Sequence, residues 1–421
     1  MSGFLGPARS FRKKAPSIYM AAFFMSCYSG VYIVTLPFII TYLGGEDKDL
    51  GLCASAGFIS YLIGCIALRH LLDRFNSRHL AQLGSGVITI SITTLLVVVL
   101  LIKHGYNLPH PVILVIITSM ISGLFTSVFW PPIMGWLSAG REGKDLNRTL
   151  GIYNMSWSAG LAISPFLGGL LVQSSLIKAI LAALAFIVMA FTAVTLAHPP
   201  QIRQVEKINN NSQTVGANFL LERFRWLSRI ALFSVYTCVG LMKTQLAMLI
   251  TAEMHLSKSY FGALTAVMWL VTCLVFFTTT RIHNWHYKTI LITLAQVSVL
   301  LGMLLIIECQ FAPAFFVVAG LIGLGQGFIY ISHQFYAASQ STKRSGSMAV
   351  HEILLSAGHI TGFLAGGYLA TCFGRTTAPY WFGFCVVLIG LAAQLVVWRL
   401  LLNRQKHSLQ PVQQIPGSTL Q

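Results

Sequence analysis

Residues 160–169 read Gly160-Leu161-Ala162-Ile163-Ser164-Pro165-Phe166-Leu167-Gly168-Gly169, and residues 358–367 read Gly358-His359-Ile360-Thr361-Gly362-Phe363-Leu364-Ala365-Gly366-Gly367. At an offset of 198, Gly160, Gly168 and Gly169 fall on Gly358, Gly366 and Gly367, and Ser164 falls on Gly362. Each stretch lies inside a long apolar run, Thr149–Val172 and Ser347–Cys372. Small residues four apart let helix backbones approach closely in lipid, so both stretches read as packing seams of membrane helices. A second match joins Ser26-Cys27-Tyr28-Ser29 to Ser234-Val235-Tyr236-Thr237, at an offset of 208. The order is the same in both halves, which predicts two parallel repeats.

Working outward, the chain divides into apolar runs of the length that crosses a hydrocarbon core, about 20 residues. They are Ser17–Tyr42, Gly51–Leu68, Leu80–Ile102, Val112–Leu137, Thr149–Val172 and Leu176–Ala197, then Ile230–Thr251, Ser257–Thr279, Thr289–Ile307, Ala312–Gln334, Ser347–Cys372 and Ala378–Leu401. The expected fold is an all-α membrane protein of twelve transmembrane helices in two pseudo-symmetric parallel six-helix bundles. Residues 1–198 form the first bundle, 199–229 a cytoplasmic linker, 230–401 the second bundle and 402–421 a cytoplasmic tail. Within the linker, Asn209-Asn210-Asn211-Ser212-Gln213 reads as flexible chain. Phe219–Arg229 alternates basic and apolar residues and reads as a short helix lying on the membrane surface. The first run is too long for a signal-peptide core and is expected to be retained as a span.

Composition agrees. Of 421 residues, 55% are apolar and 9% charged, against about 25% charged in soluble domains. The net charge of +17 sits in short clusters between apolar runs, with no nucleic-acid-binding signature, so nucleic acid is not an expected partner. With the N-terminus inside, the outer loops hold only Lys48, Lys103, Lys178, Lys258 and Arg375 of the 28 Lys and Arg, and Lys243 lies within a span. The rest fall inside, which predicts cytoplasmic N- and C-termini and an even number of spans. The eight cysteines form no C-x-x-C pair and read as small apolar residues.

At this point the chain resembles the major facilitator superfamily of secondary transporters, over about its whole length. The glycines of the fifth run look like that family's antiporter-type motif, with Ser164 where glycine is usual before Pro165. Arg69-His70-Leu71-Leu72-Asp73-Arg74-Phe75-Asn76-Ser77-Arg78 looks like its signature loop, departing at Arg69 and Asn76. The equivalent loop from Arg281 to Lys288 lacks the aspartate, Ser119 stands where a coupling arginine is usual, and Gln326-Gly327 is kept. The resemblance implies that Asp73, Arg74 and Arg78 form a gating latch, with an exposed surface pair as the plainer reading of Asp73 and Arg74. It also implies that the first, fourth, seventh and tenth spans line a central cavity.

Those four spans each carry a polar stripe at helical spacing. They are Tyr28, Tyr32 and Thr35; Ser122, Thr126 and Trp130; Tyr236, Gly240 and Lys243; and Gln326, Tyr330 and His333. The expected substrate-binding residues are Tyr28, Tyr32, Thr35, Thr126, Trp130, Tyr236, Lys243, Gln326, Tyr330 and His333. Lys243 is the sharpest: a lysine so deep should face a cavity or a partner, a snorkelling side chain being the alternative. By the 208 offset it matches Thr35. A cation there favours an anionic or zwitterionic solute. Glu352, matching Asn154, is the one carboxylate clearly inside a span, and with His359 it is the candidate for proton coupling; a cap or structural pair is the alternative. Pro131-Pro132 should bend the fourth span.

The expected function is transport of a small polar, anionic or zwitterionic solute by rocker-switch alternating access. The alternative is a non-transporting membrane sensor or assembly protein on the same scaffold. No ATP-binding loop, metal-ligand cluster or nucleophile motif supports an enzyme, a metal site or a cofactor; His283 and His286 are too few. The expected partners are the solute, the lipid bilayer and a possible coupled proton, with the chain a monomer. The outer loops carry no N-x-[ST] site, which favours a bacterial inner membrane.

Overall fold

The computed structural model describes residues 16–68, 75–138, 143–197, 215–282, 284–309, 311–339, 344–374 and 377–409. The first six helices are α1 (Pro16–Tyr42), α2 (Asp47–Ala67), α3 (Ser77–Lys103), α4 (Pro111–Ser138), α5 (Gly143–Ser174) and α6 (Leu176–Leu196). The second six are α7 (Val215–Met248), α8 (Lys258–Arg281), α9 (Thr289–Glu308), α10 (Ala314–Ala338), α11 (Arg344–Phe373) and α12 (Ala378–Leu409). A π-helical turn, Leu249–Glu253, ends α7. Among the described residues, 12 helices are long and apolar enough to cross a membrane. An even number puts the start of α1 and the end of α12 on one face, called here the terminal face.

The sequence explains where several helices start. At α2 the Asp49 carboxylate accepts the Glu46 backbone N–H at 2.8 Å, satisfying a donor that a helix start leaves open. Asn76 caps α3 through Arg78 N–H at 2.9 Å, and Ser257 caps α8 through Tyr260 N–H at 3.1 Å. Many hydroxyls inside the spans are satisfied within their own helices, as where Thr126 donates to the Ser122 carbonyl at 2.7 Å. That is how polar residues are tolerated in an apolar solvent. Large apolar side chains such as Ile90, Leu395 and Ile389, about two-thirds exposed, face outward where a soluble protein would be polar.

Within each half, α1 packs on α5 and α6, and α7 packs on α11 and α12; the halves meet mainly through α5 with α8 and α2 with α11. The repeat is visible in equivalent contacts. A Cβ at Gly160 would meet the Phe23 carbonyl oxygen at 2.5 Å, and one at Gly358 would meet that of Phe233 at 2.7 Å. Their further neighbours are Ser26 and Cys27 in one half, Tyr236 and Thr237 in the other. These pairs fix the α1–α7 correspondence at an offset of 210, not the 208 expected from Ser-x-Tyr. The two-residue slip has a physical reason: the backbone contacts of the small residues set the register, and the tyrosines only happen to recur near it. Lys243 therefore matches Ile33 rather than Thr35.

Two further expectations change. Phe219–Arg229 is not a separate surface helix but belongs to the first turns of α7. Its basic residues find partners there: Arg225 donates to the carbonyls of Tyr336, at 2.9 Å, and of Ser339. In the N-terminal half, α2 begins at Asp47, four residues before the expected run, so Asp47 and Asp49 occupy its first turn. Pro131 and Pro132 both lie inside α4, which continues as helix to Ser138.

Candidate functional site

A cavity of about 300 Å³ lies between the two halves. From the N-terminal half α1 contributes Tyr28 and Tyr32, α2 contributes Phe58 and Tyr61, α4 contributes Ser119, Thr126 and Trp130, and α5 contributes Tyr153 and Trp157. From the C-terminal half come Tyr236 and Lys243 of α7, Trp269 of α8, Tyr330 of α10, and Glu352 and His359 of α11. The walls are rich in aromatic side chains. Trp157 meets Tyr330 edge-on at 5.6 Å and Trp269 at 6.0 Å, so α5, α8 and α10 share one aromatic wall across the two halves. Such faces suit a partly apolar solute with a few fixed polar groups.

Lys243 is the cation of this cavity. Its Nζ lies 2.7 Å from His359 Nε2. The other ring nitrogen, Nδ1, lies 3.1 Å from the Leu355 carbonyl oxygen, which can only accept. Nδ1 therefore carries a proton, and in the neutral imidazole Nε2 accepts a hydrogen bond from the Lys243 side-chain nitrogen. Phe58 and Trp269 place their rings 5.4 and 5.7 Å from Nζ, within cation–π range. Among the described residues no carboxylate pairs with Lys243.

Glu352 is the anion. Its Oε2 accepts the Tyr61 hydroxyl at 3.0 Å, from α2 of the other half. Around the opposite wall, the Tyr32 hydroxyl and Ser119 Oγ are 2.9 Å apart, and Ser119 also lies 3.1 Å from Cys53 Sγ. Ser119, at the position where the resemblance leads one to look for an arginine, thus adds no charge.

The structure brings Tyr28, Tyr32, Thr126, Trp130, Tyr236, Lys243, Tyr330, Glu352 and His359 to one cavity. Thr35, Gln326 and His333 do not line it. Thr35 is buried and donates to the Val31 carbonyl at 2.7 Å. Gln326 donates through Nε2 to Thr272 Oγ1 at 2.6 Å, holding α10 to α8. His333 Nδ1 faces His351 Nδ1 at 2.8 Å, joining α10 to α11. Helical spacing places these residues near the right face, but a stripe also borders neighbouring helices, and these side chains turn toward them. Arg78 reaches across to the Thr195 carbonyl near the end of α6; Asp73 and Arg74 lie outside the described residues.

Phe58, Tyr61, Trp157 and Trp269 were missed by the sequence reading because they sit on α2, α5 and α8, outside the four expected spans. A signal was present for α5. Asn154 and Trp157 lie one turn apart, the Trp157 indole donates to Asn154 Oδ1 at 3.1 Å, and Asn154 Nδ2 donates to Gln334 Oε1 at 3.1 Å on α10. That bridge joins the halves on the terminal side. On the far side the halves touch through paired glycines: a Cβ at Gly169 would meet Gly262 Cα at 2.9 Å, and one at Gly51 would meet Gly367 Cα at 3.3 Å.

Comparison with known proteins agrees with this architecture. The family model described as Major Facilitator Superfamily matches residues 18–341. The chain belongs to the major facilitator superfamily, a family of membrane transporters, and is a multi-pass integral membrane protein. It has the fold of a POT family transporter solved in complex with a thioalcohol-conjugated peptide, with TM-score 0.70, 13% identity, and 95% of this chain and 98% of that one covered. It is similarly like a bacterial homologue of the human lysosomal transporter Spinster, solved inward-facing and unoccupied, with TM-score 0.66, 16% identity and coverage of 95% and 99%. A variant of the nucleoside transporter NupG gives TM-score 0.67, 12% identity and coverage of 90% and 98%. No match is found among curated protein sequences.

Proposed function

We propose that the protein carries a small polar solute, anionic or zwitterionic, across its membrane by rocking one six-helix half against the other. The observation that carries the reading is Lys243: a buried lysine in the central cavity, within hydrogen-bond distance of His359 and paired with no carboxylate among the described residues. A buried charge without a counter-charge is costly, and a bound anionic group relieves that cost. Tyr28, Tyr32, Thr126, Trp130, Tyr236 and Tyr330 are the proposed walls for the rest of the solute. Thr35, Gln326 and His333 hold the walls from behind. A coupled proton would use Glu352 or His359. The glycine-paired seams on the far side and the Asn154–Gln334 bridge on the terminal side are contacts that could open alternately, with Asp73, Arg74 and Arg78 as the proposed latch. The distribution of Lys and Arg supports a cytoplasmic terminal face, and the outer loops without N-x-[ST] sites a bacterial inner membrane.

The test is a thermal-shift screen of the purified protein against a metabolite panel, followed by counterflow of each stabilising compound in proteoliposomes. A true ligand stabilises by mass action, about 2.7 kcal/mol at a hundred times its Kd. The expected result is stabilisation by at least one anionic or zwitterionic metabolite that is then carried. Stabilisation without flux would favour a sensor instead.

A further inference from the structure

Among the described residues that line the central cavity, only Lys243 and Glu352 are of types charged at neutral pH, one of each sign. The two do not pair with each other: no salt bridge joins them, Lys243 is held by His359, and Glu352 is held by Tyr61. Glu352 and His359 are seven residues apart on α11, two turns along one helical face. At 1.5 Å per residue Glu352 and His359, the residue that holds Lys243, are about 10 Å apart along the helix axis. Tyr236 and Tyr330 stand in the same cavity, 6.4 Å apart, and Tyr236 packs edge-on against His359 at 5.1 Å.

We propose that Glu352 is the second recognition pole of the cavity, taking an ammonium or similar cationic group of a solute whose anionic group meets Lys243. This rests on the reading of the cavity as a solute site. A monoanion would satisfy Lys243 and leave Glu352 as an uncompensated buried charge of its own sign. A monocation would do the reverse. A solute bearing both charges neutralises both poles at once, and in a cavity of low dielectric that difference is amplified. Charge-assisted hydrogen bonds of about 2.8 Å at each end leave a solute whose charged groups are roughly 5–8 Å apart. An ω-amino acid of four to six carbons has this span; an α-amino acid with an apolar side chain does not. The aromatic faces between the poles fit the intervening carbon chain. Glu352 also stands as a proton acceptor in the reading above, and the two roles predict different behaviour.

The experiment uses the full chain with 4-aminobutyrate, 5-aminovalerate and 6-aminohexanoate as probes. Butyrate, pentanoate and hexanoate are the matched acids without the amine. Affinities are read by calorimetry on the wild type and on Glu352→Gln, an isosteric change that can keep the Tyr61 hydrogen bond. The expected result is a preference of at least about tenfold for an amino acid over its matched acid in the wild type, equivalent to about 1.4 kcal/mol. In Glu352→Gln that preference should fall to within about twofold. Retention of the full preference in Glu352→Gln, with loss only of accumulation driven by a pH gradient, overturns the proposal and leaves Glu352 to the proton. Equal binding of acid and amino acid to the wild type overturns the second pole while leaving the anion reading intact. If no ω-amino acid binds, the bipolar assignment fails, and the cavity reading itself then rests on the metabolite screen.

Discussion

The ammonium of Lys243 and Nε2 of His359 lie 2.7 Å apart, on a histidine whose other nitrogen is committed to the Leu355 carbonyl. The pair joins α7 to α11 inside the C-terminal half and has no counterpart in the N-terminal half. At the 210 offset Lys243 faces the cavity where Ile33 does, and at the 198 offset His359 falls on Leu161. A repeat that is symmetric in its backbone seams is therefore asymmetric in its charge, and the charge defines the proposed site.

Replacing His359 with Phe keeps a ring against Phe58, Phe363 and Tyr236 and removes only the acceptor. A hydrogen bond to a charged group contributes about 1.5–3 kcal/mol. His359→Phe should therefore leave Lys243 poorly positioned and weaken binding of an anionic ligand by about tenfold or more, read by calorimetry. Unchanged affinity would mean that His359 does not position the cation.

His333 should behave differently, since it lies off the cavity. His333→Ala leaves His351, buried and with Nε2 already without a partner, without its Nδ1 bond as well. A cost of about 1–3 kcal/mol in stability is expected, seen as a lower Tm, with ligand affinity unaltered. A change in affinity at constant Tm would place His333 in the site after all.

Asn154 bridges the halves on the terminal side while also receiving the Trp157 indole. Asn154→Ala removes both bonds and weakens one contact that closes that side. Faster hydrogen exchange is expected in the terminal-side turns of α5 and α10, with the far-side ends of α5 and α8 unaffected. Uniform exchange throughout α5 would indicate general destabilisation and not a gate.

On the far side, Gly169→Ala sets a methyl 2.9 Å from Gly262 Cα and 3.0 Å from the Lys258 carbonyl, both backbone atoms that cannot rotate away. The α5–α8 seam must part by a few tenths of an ångström. Hydrogen exchange over residues 258–262 should rise, and counterflow should slow if closure of this seam limits turnover. The α2–α11 seam at Gly51 and Gly367 serves as the internal control.

Much of the fold was legible because hydropathy and small-residue spacing are one-dimensional signals. Twelve spans, two parallel halves and the seams at Gly160 and Gly358 could all be read directly. The register between α1 and α7 could not, because Tyr28 and Tyr236 align by residue type while the backbone contacts align two residues away. Nor could the extent of α7, since the carbonyls of Tyr336 and Ser339 that accept from Arg225 are distant in the chain. For the candidate site, a polar stripe tells which side of a helix is polar. It does not tell whether that side meets the cavity, as with Tyr330, or the next helix, as with Gln326. The aromatic wall of Trp157 and Trp269 carries no polar periodicity, so it emerges only when the two halves are placed face to face.

The most direct measurement is counterflow of the screened ligand in proteoliposomes containing wild-type protein or Lys243→Gln. The variant keeps a hydrogen-bond donor for His359 and removes the charge. If Lys243 is the cation that receives the solute, Lys243→Gln should fold with an unchanged or higher Tm, because an uncompensated buried charge is gone. It should lose flux of an anionic or zwitterionic solute by about tenfold or more, consistent with loss of a charge-assisted bond of about 1.5–3 kcal/mol. Wild-type rates of flux for every such solute in a well-folded Lys243→Gln protein would contradict the proposed site.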